Sequence, residues 1–516
     1  MRHGFGGGAI ALLLFLTLGS FLAVLSRADA PAALSSFDFA AIRFTLFQAF
    51  LSAFFSVLLA IPLARVLARR VFWGRGLLLT ILGAPFILPT IVAVFGLLAI
   101  WGPNGWASYL LLMSGREPLN IFGLLGIVLA HVFFNLPLAT RLFLQGWLSI
   151  PAEHFRLCAS LGMETNHIHK HLERPMLKQT LPGAFLLIFL LAMTSFAIAL
   201  TLGGGPKSTT IEVAIYQALR FDFDLSKTAL LACIQFLLTL SFGIVFFFFT
   251  KPVNFGGSMG EVRKRWDLSA RWTRWQDTCL IILGGMFLLS PLAAIFLRGL
   301  PEIQNLPAPI WEAAGISLLI ALASTAICLL FAMAISHLIL TLGAGFKHAR
   351  YIEVLTLLTI AASPFVLGTG LYILIFPFAS PFDLALPITA VVNAVMALPF
   401  AVRVILPAWG NARDNYQTLQ HSLGMHGWSS FRIAIWPQIC GPVLFAAGLA
   451  AALSMGDLGV ITLFALPDVE TLPLAMHRLM GAYQFDLAAG AALLLLLLSL
   501  ALFWAFDRGG RYADHL

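Results

Sequence analysis

The sequence predicts an all-α membrane protein of about twelve transmembrane helices, arranged as two parallel repeats of six spans. Composition is the first reason, because 60% of the 516 residues are hydrophobic and only 10% are charged. A soluble globular chain is less apolar and carries more charge. The other two reasons are a series of long apolar stretches and an internal repeat. Together they indicate that lipid is the solvent of this chain.

The apolar stretches have the length of membrane spans, since a helix needs roughly 20 residues to cross the hydrocarbon core. They run without interruption, whereas the strands of a membrane barrel alternate apolar and polar residues. We therefore predict helical spans at 9–25, 42–64, 77–100, 121–145, 182–202, 228–249, 278–296, 314–336, 354–376, 386–406, 441–464 and 487–506.

The two halves of the chain share residues at an offset of 262 positions, which becomes 272 further upstream, where Ser52 matches Ser324. Chance similarity between two apolar sequences would match Leu and Ala, but not Pro, Gly, Arg and Asp. The matched pairs are Pro137 with Pro399, Arg141 with Arg403, Gly162 with Gly424, Pro175 with Pro437, Thr209 with Thr471 and Asp224 with Asp486. Repeats of six spans enter the membrane in the same direction, so the translocation path is expected at their interface.

Charge predicts the orientation of the chain. With both termini cytoplasmic, most of the 31 Lys and Arg residues fall in inside segments, as the positive-inside rule expects. The net charge of +8 therefore indicates a multi-pass protein of the cell inner membrane and no nucleic-acid partner. We divide the chain into a first repeat (1–250), a basic cytoplasmic linker (251–277) and a second repeat (278–516).

The amino terminus and the cysteines leave few further features to explain. A charged tip, a short apolar run and Ala28-Asp29-Ala30 imitate a secretory signal with its cleavage site. We favour a retained first span; cleavage would leave the orientation of the other spans unchanged. The five cysteines include no CxxC pair, so neither a disulfide framework nor a zinc site is implied.

A long loop follows the fourth predicted span of each repeat, and both loops carry Leu-Gly-Met inside amphipathic stretches. They read EHFRLCASLGMETNHIHKHLERPMLKQTLPG and DNYQTLQHSLGMHGWSSFRIAIWPQICGP. In each, the glycine precedes a proline by thirteen residues. Glycine suits a sharp turn after a helix, and proline ends a helix that cannot continue. We therefore predict a short helix, a turn and a second helix lying across the cytoplasmic face.

These loops resemble the EAA loop of ABC importer permeases, in which a glycine is followed by nine residues and then I-x-L-P. The resemblance implies a type I ABC importer permease fold and a coupling helix that docks on an ATP-binding subunit. Arg156 and Thr418 replace the leading acidic residue of the motif, and Leu157-Cys158 and Leu419-Gln420 replace its two alanines. The residues expected to couple to the ATPase are Arg156, Leu161, Gly162, Met163, Pro175, Thr418, Leu423, Gly424, Met425 and Pro437.

The resemblance narrows to fused two-copy permeases of iron(III) and thiamine importers, and it is greatest for the thiamine group. It rests on LAHVFFNLPLATRLFLQ at 129–145, TLGGGPKSTTIEVAIYQAL at 201–219 and LSMGDLGVITLF at 453–464. It implies import of thiamine and its phosphate esters by alternating access, with two ATP-binding cassette subunits and a periplasmic binding protein as partners. An iron(III) importer and an ion-coupled secondary transporter are the alternatives.

No enzyme chemistry is expected of the chain itself. Gly203-Gly204-Gly205-Pro206-Lys207-Ser208 fails as a P-loop, because proline stands where glycine should precede the lysine and no strand leads in. ATP and Mg are therefore expected on the partner ATPase, and this chain needs no cofactor. His167, His169 and His171 alternate in the first loop, a spacing that does not suit a metal site on a helix.

Asp457 is the candidate for the substrate pathway, as an acidic residue deep in a predicted span. A charge there costs at least about 2.5–3.5 kcal/mol on insertion scales unless it faces protein or water. It would suit a cationic substrate, and its repeat partner Ser195 would make the path asymmetric. The alternative is a structural role, which the neighbouring Gly456 and Gly459 favour because they let helices approach closely.

Overall fold

The chain folds entirely into helices in the parts that its computed structural model describes, residues 4–27, 34–83, 87–249, 271–342, 363–425, 427–464 and 470–513. Eleven of these helices are long and apolar enough to cross a membrane. The prediction of an all-α membrane protein is confirmed. The predicted span 354–376 lies partly outside the described residues, as do Ala28-Asp29-Ala30 and most of the linker.

The described helices up to Phe249 begin and end as follows. They are α1 (Gly4–Leu14), a π turn (Phe15–Gly19), α2 (Ser20–Arg27), α3 (Ser36–Arg69), α4 (Arg75–Ile81), α5 (Thr90–Trp101), α6 (Trp106–Met113), α7 (Leu124–Ser149), α8 (Ala152–Ser160), α9 (Thr165–Ile168), a π turn (His169–Glu173), α10 (Arg174–Met193), α11 (Phe196–Leu202), a 3₁₀ turn (Pro206–Ser208), α12 (Ile211–Arg220) and α13 (Leu225–Phe249).

The described helices after the linker recur in a similar order. They are α14 (Arg271–Glu302), a 3₁₀ turn (Ile303–Asn305), α15 (Ala308–Leu342), α16 (Pro364–Ile375), α17 (Ala385–Ser422), α18 (Trp428–Ser430), a π turn (Phe431–Ile435), α19 (Trp436–Met455), α20 (Gly459–Phe464), α21 (Leu472–Gly481) and α22 (Phe485–Ala513). The bounds of α3 and α15 begin 272 residues apart, and those of α10 and α19 differ by 262.

Two predicted spans are not single helices. The span predicted at 77–100 contains the end of α4 and the start of α5, and the span predicted at 182–202 breaks between α10 and α11. Pro89 caps α5 in an extended conformation, and a residue before proline avoids the helical region. Hydropathy alone missed both breaks, because the residues around them remain apolar.

A single proline makes the two halves differ before the first candidate coupling turn. Pro151 separates α7 from α8, and Ile150 before it has an extended ψ of 122°. The residue 262 positions later is Arg413, and there α17 continues unbroken to Ser422. Because proline disfavours helix at the preceding residue, α8 forms a separate short helix while its counterpart extends α17.

The first helix of each half packs on the other half. Helices α1 and α2 lie against α15 and α16, with Leu13 and Val24 buried in that contact region. Helix α14 lies against α3 and α5 in return, and buries Ala294 and Ile295. The apolar core is therefore continuous across both halves, since one buried cluster combines α3, α5 and α7 with α14 and α22.

Two buried carboxylates fix the two ends of α3. At its start, Asp38 accepts from the backbone N–H of Ser35 at 2.9 Å and lies 3.3 Å from the Lys227 ammonium. At its end, Asp277 of α14 accepts from the guanidinium of Arg69 and, at 2.7 Å, from Arg70 Nε. The second contact joins the halves at the end of α3 that follows its basic run.

We expect Asp277→Ala to lower the unfolding free energy by about 3 kcal/mol, because it removes the shared acceptor of two partly buried guanidinium groups. The measurement is thermal unfolding of the detergent-solubilised protein. Asp222→Ala is the control, since that carboxylate is exposed and such a change stays within about 0.5 kcal/mol. Equal unfolding temperatures for the two variants would contradict the role of Asp277.

Candidate functional site

The first candidate coupling segment, residues 152–175, turns sharply after α8. Gly162 has a φ of +62°, the left-handed region that favours glycine. Its N–H donates to the Ala159 carbonyl at 3.0 Å, and the Met163 N–H donates to the Cys158 carbonyl at 2.9 Å. This pair of bonds is a Schellman motif, which satisfies the last carbonyls of a helix.

The second candidate coupling segment, residues 414–437, makes the same turn at the same offset. Gly424 has a φ of +60° and donates to the His421 carbonyl at 3.3 Å. The Met425 N–H donates to the Gln420 carbonyl at 2.9 Å. Each donor and each acceptor lies 262 positions after its counterpart, so the helix-and-turn part of the sequence prediction is present in both segments.

The prolines do not end the second helix, contrary to the sequence prediction. In each segment a five-residue π turn, His169–Glu173 or Phe431–Ile435, leads directly into a long helix whose second residue is Pro175 or Pro437. A proline ring clashes with the carbonyl four residues earlier in an α-helix. The wider π turn shifts that carbonyl, so the helix continues through the proline.

The tips of both segments expose large apolar side chains at matched positions. Leu161 and Leu423 are 61% and 64% exposed, and Leu157 and Leu419 are 58% and 49% exposed. Arg156 and Thr418 are also exposed. A repeated apolar patch with a polar rim is typical of a surface that binds another protein. Sequence reasoning singled out Leu161 and Leu423 but missed Leu157 and Leu419.

A buried carboxylate holds the first segment to α3. Glu173, the last residue of the π turn, has no exposed surface, and its Oε2 lies 2.9 Å from Arg65 Nη2 and 3.2 Å from His169 Nδ1. Sequence reasoning missed this clamp. The available signal was the spacing of His169 and Glu173, since residues four apart on a helix meet on one face.

Aromatic rings occupy the same places in the second segment. Arg65, His169 and Glu173 correspond to His337, Phe431 and Ile435 by the offsets of 272 and 262. The described ring contacts form a chain: His337 with Trp409 at 5.5 Å, Trp409 with Phe431 at 5.6 Å, Trp428 with Phe431 at 5.5 Å and Phe431 with Trp436 at 6.0 Å. The two segments therefore share a backbone course but are anchored by different interactions.

The alternating histidines of the first segment separate in the structure. His169 faces Glu173, whereas His167 and His171 are exposed. The glycine-rich stretch forms a turn after α11, in which the Gly123 N–H donates to the Leu202 carbonyl at 2.6 Å and Gly204 lies against Phe122.

Both candidate pathway residues lie at matched helix breaks. Ser195 separates α10 from α11 with a ψ of 104°, and Asp457 separates α19 from α20. After each break, the helix that follows is tied to the first long helix of its half. The Ile211 N–H donates to Thr45 Oγ1 at 2.9 Å, and the Leu472 N–H donates to Ser317 Oγ at 2.8 Å.

The breaks also lie where the halves touch. Gly456 packs against Pro89 so closely that a Cβ would lie 2.8 Å from the proline Cα. Phe196, which follows Ser195, stacks on Phe365 of α16 with ring centroids 4.1 Å apart. Broken helices at an interface between repeats are typical of transporter binding sites, because freed backbone groups become available to ligands.

The inference that only the second half carries a buried acid is wrong. Asp38, Glu173 and Glu212, all in the first half, are at most 1% exposed. Glu212 accepts from Gln235 Nε2 at 3.5 Å. Sequence reasoning missed them because they lie at the ends of apolar runs, where a carboxylate is expected to reach water.

Comparison with known proteins identifies the family. No family model matches the chain. The thiamine transport system permease protein ThiP of Brucella abortus (strain 2308) is 38% identical over 98% of this chain and 94% of that protein. The ThiP proteins of Salmonella typhimurium and Escherichia coli (strain K12) are 38% and 37% identical, each over 98% of this chain and 96% of the relative. The chain therefore belongs to the ABC transporter permease family of the thiamine transport proteins.

Proposed function

We propose that this chain is the transmembrane subunit of an ATP-driven importer of thiamine and its phosphate esters. The observation that carries the proposal is the duplicated Schellman turn with exposed leucines, in a chain similar to ThiP over nearly its whole length. One chain supplies both halves of the pore, residues 1–250 and 278–516, joined by the linker 251–277. It lies in the cell inner membrane with both termini in the cytoplasm.

Two ATP-binding cassette subunits bind the candidate coupling segments, one at each. The exposed leucines at 157, 161, 419 and 423 supply apolar contact area for this docking. ATP and Mg belong to those subunits. A periplasmic binding protein delivers the substrate to the opposite face.

Transport follows from alternating access. ATP-driven closure of the two cassettes draws the coupling segments together, and the halves separate on the side of the loaded binding protein. Hydrolysis then resets the halves. ATP drives this change only because it binds the closed cassettes more tightly than the open ones. The continuous helices α10 and α19 connect each coupling segment to the break at Ser195 or Asp457, so movement at one end reaches the other.

The proposal is tested by uptake of labelled thiamine into vesicles that contain the permease, its ATPase and the loaded binding protein. We expect uptake that requires ATP and hydrolysis-competent cassettes. Uptake driven by an ion gradient without ATP would indicate a secondary transporter and overturn the proposal. ATP-dependent uptake of iron(III) in place of thiamine would overturn the substrate assignment alone.

A further inference from the structure

A polar cavity of about 190 Å³ lies beside the helix break of the second half. It is enclosed by α15, α17, α19 and α21. Besides Asp457, the polar groups that line it are Ser317, Thr389, Asn393, Ser454 and Thr471. Two of these are occupied within the protein, since Ser317 accepts from Leu472 and the Asn393 amide donates to Ser454 Oγ at 3.0 Å.

Two buried oxygens of this cavity have no hydrogen-bond partner among the described residues. Asp457 Oδ1 accepts from the Gly459 N–H at 3.0 Å, but Asp457 Oδ2 has no donor. Thr471 is 4% exposed, and its Oγ1 is likewise without a partner. A buried carboxylate oxygen without a donor is costly, so the site is suited to a positively charged ligand.

The first half fills the equivalent space with side chains. Gln48, which corresponds to Ile320, donates from Nε2 to the Ala192 carbonyl at 2.9 Å beside the break. His131, which corresponds to Asn393, lies 3.1 Å from Ser52 Oγ. Both are fully or nearly fully buried. The cavity therefore belongs to the second half alone among the described residues, and it coincides with the acid that replaces Ser195.

An aromatic cluster borders the same carboxylate. A Cβ placed on Gly459 would lie 3.3 Å from Asp457 Oδ1 and 3.4 Å from the Phe365 ring, so both face one point. Phe365 contacts Phe196 at 4.1 Å and Tyr216 at 6.5 Å between ring centroids. These rings come from both halves. Aromatic faces attract quaternary ammonium groups, which have no N–H to donate and so need charge and π contact instead.

We propose that Asp457 and the aromatic cluster of Phe196, Tyr216 and Phe365 form a transit site for an organic cation between the two halves. The inference rests on the proposed function, because thiamine carries a quaternary thiazolium nitrogen. In the arrangement described here the rings are buried against one another and the cavity has room for only part of such a molecule. The site accepts the cation when the halves separate, with Asp457 as its counter-ion.

Asp457→Asn separates this role from a structural one. Asparagine caps a helix as well as aspartate does, so the bond to the Gly459 N–H is retained while the charge is lost. We expect ATP-dependent thiamine uptake into vesicles to fall about tenfold or more, which corresponds to losing about 1.4 kcal/mol of cation binding. ATP hydrolysis stimulated by the loaded binding protein is expected to persist. Ser195→Ala, at the matched break, is the control and should transport normally.

Phe365→Leu provides a second, independent variant, since leucine retains apolar packing but lacks the π face. Its uptake is expected to fall about threefold to tenfold, in line with the strength of a buried cation–π contact. Normal uptake in both variants would overturn the inference, and so would equal losses in Asp457→Asn and Ser195→Ala. If the unaltered transporter takes up no thiamine, the proposed function fails instead, so the two failures are distinguishable.

Discussion

Replacing Gly162 or Gly424 with aspartate is expected to separate ATP hydrolysis from transport. Both glycines sit at the left-handed position of a Schellman turn, and a Cβ on either would meet no atom within 4 Å. Aspartate tolerates this backbone conformation, so the fold should persist at a cost of about 1 kcal/mol. A charge would, however, enter the proposed ATPase contact. We expect thiamine uptake per ATP hydrolysed to fall about tenfold or more, measured in vesicles with both partners.

Gly115→Asp is the matched control for these variants. Gly115 has a φ of +73°, makes the same pair of turn bonds through Gly115 and Arg116 to Leu112 and Leu111, and also has open space around it. It lies between predicted spans on the side opposite the coupling segments. The same backbone strain there should leave the ratio of uptake to hydrolysis unchanged. Unaltered ratios for both Gly162→Asp and Gly424→Asp would refute docking at these turns.

Arg65→Gln is expected to weaken the first half of the transporter specifically. It leaves the fully buried Glu173 carboxylate with only His169 as a described charged neighbour. Removing one partner of a buried pair costs about 3–5 kcal/mol, and the 26% exposure of Arg65 reduces this to about 2 kcal/mol. We expect a lower unfolding temperature and lower ATP-driven uptake. The double variant Arg65→Gln, Glu173→Gln should recover much of the stability, because it leaves no unpaired charge.

His337→Gln is the corresponding change in the second half. His337 contacts the Trp409 ring, and no carboxylate stands at Ile435, so the loss should stay near 1 kcal/mol. Thermal unfolding of all four proteins gives the coupling energy between Arg65 and Glu173 as a double-mutant cycle. A double variant no more stable than Arg65→Gln alone would contradict a charge clamp and indicate that packing holds the π turn.

The sequence supported strong predictions wherever residue type dictates backbone. Apolar length predicted the membrane helices, and the glycine at 162 and 424 predicted two turns that the structure contains. It failed where neighbours decide the outcome. Proline at 175 predicted a helix end, but the preceding π turn accommodates the ring. Hydropathy could not reveal the break at Ser195, since both of its flanks are apolar.

Contacts between distant residues were beyond the reach of sequence reasoning. Glu173 and Arg65 are more than a hundred positions apart, and nothing in either neighbourhood marks them as a pair. The open oxygen of Asp457 is also a tertiary property, because it depends on Ile320 standing where the first half has Gln48. Sequence identified the acid; only packing distinguishes a capped carboxylate from one with a free oxygen facing a cavity.

The exchange of first helices between the halves also has a consequence for how the chain is made. Helices α1 and α2 leave the ribosome first, yet the surfaces of α15 and α16 that they cover are synthesised about 300 residues later. Helix α14, in contrast, meets α3 and α5 already in the membrane. Assembly is therefore completed from the middle of the chain toward its start, and α1 and α2 wait in lipid until the second half is inserted.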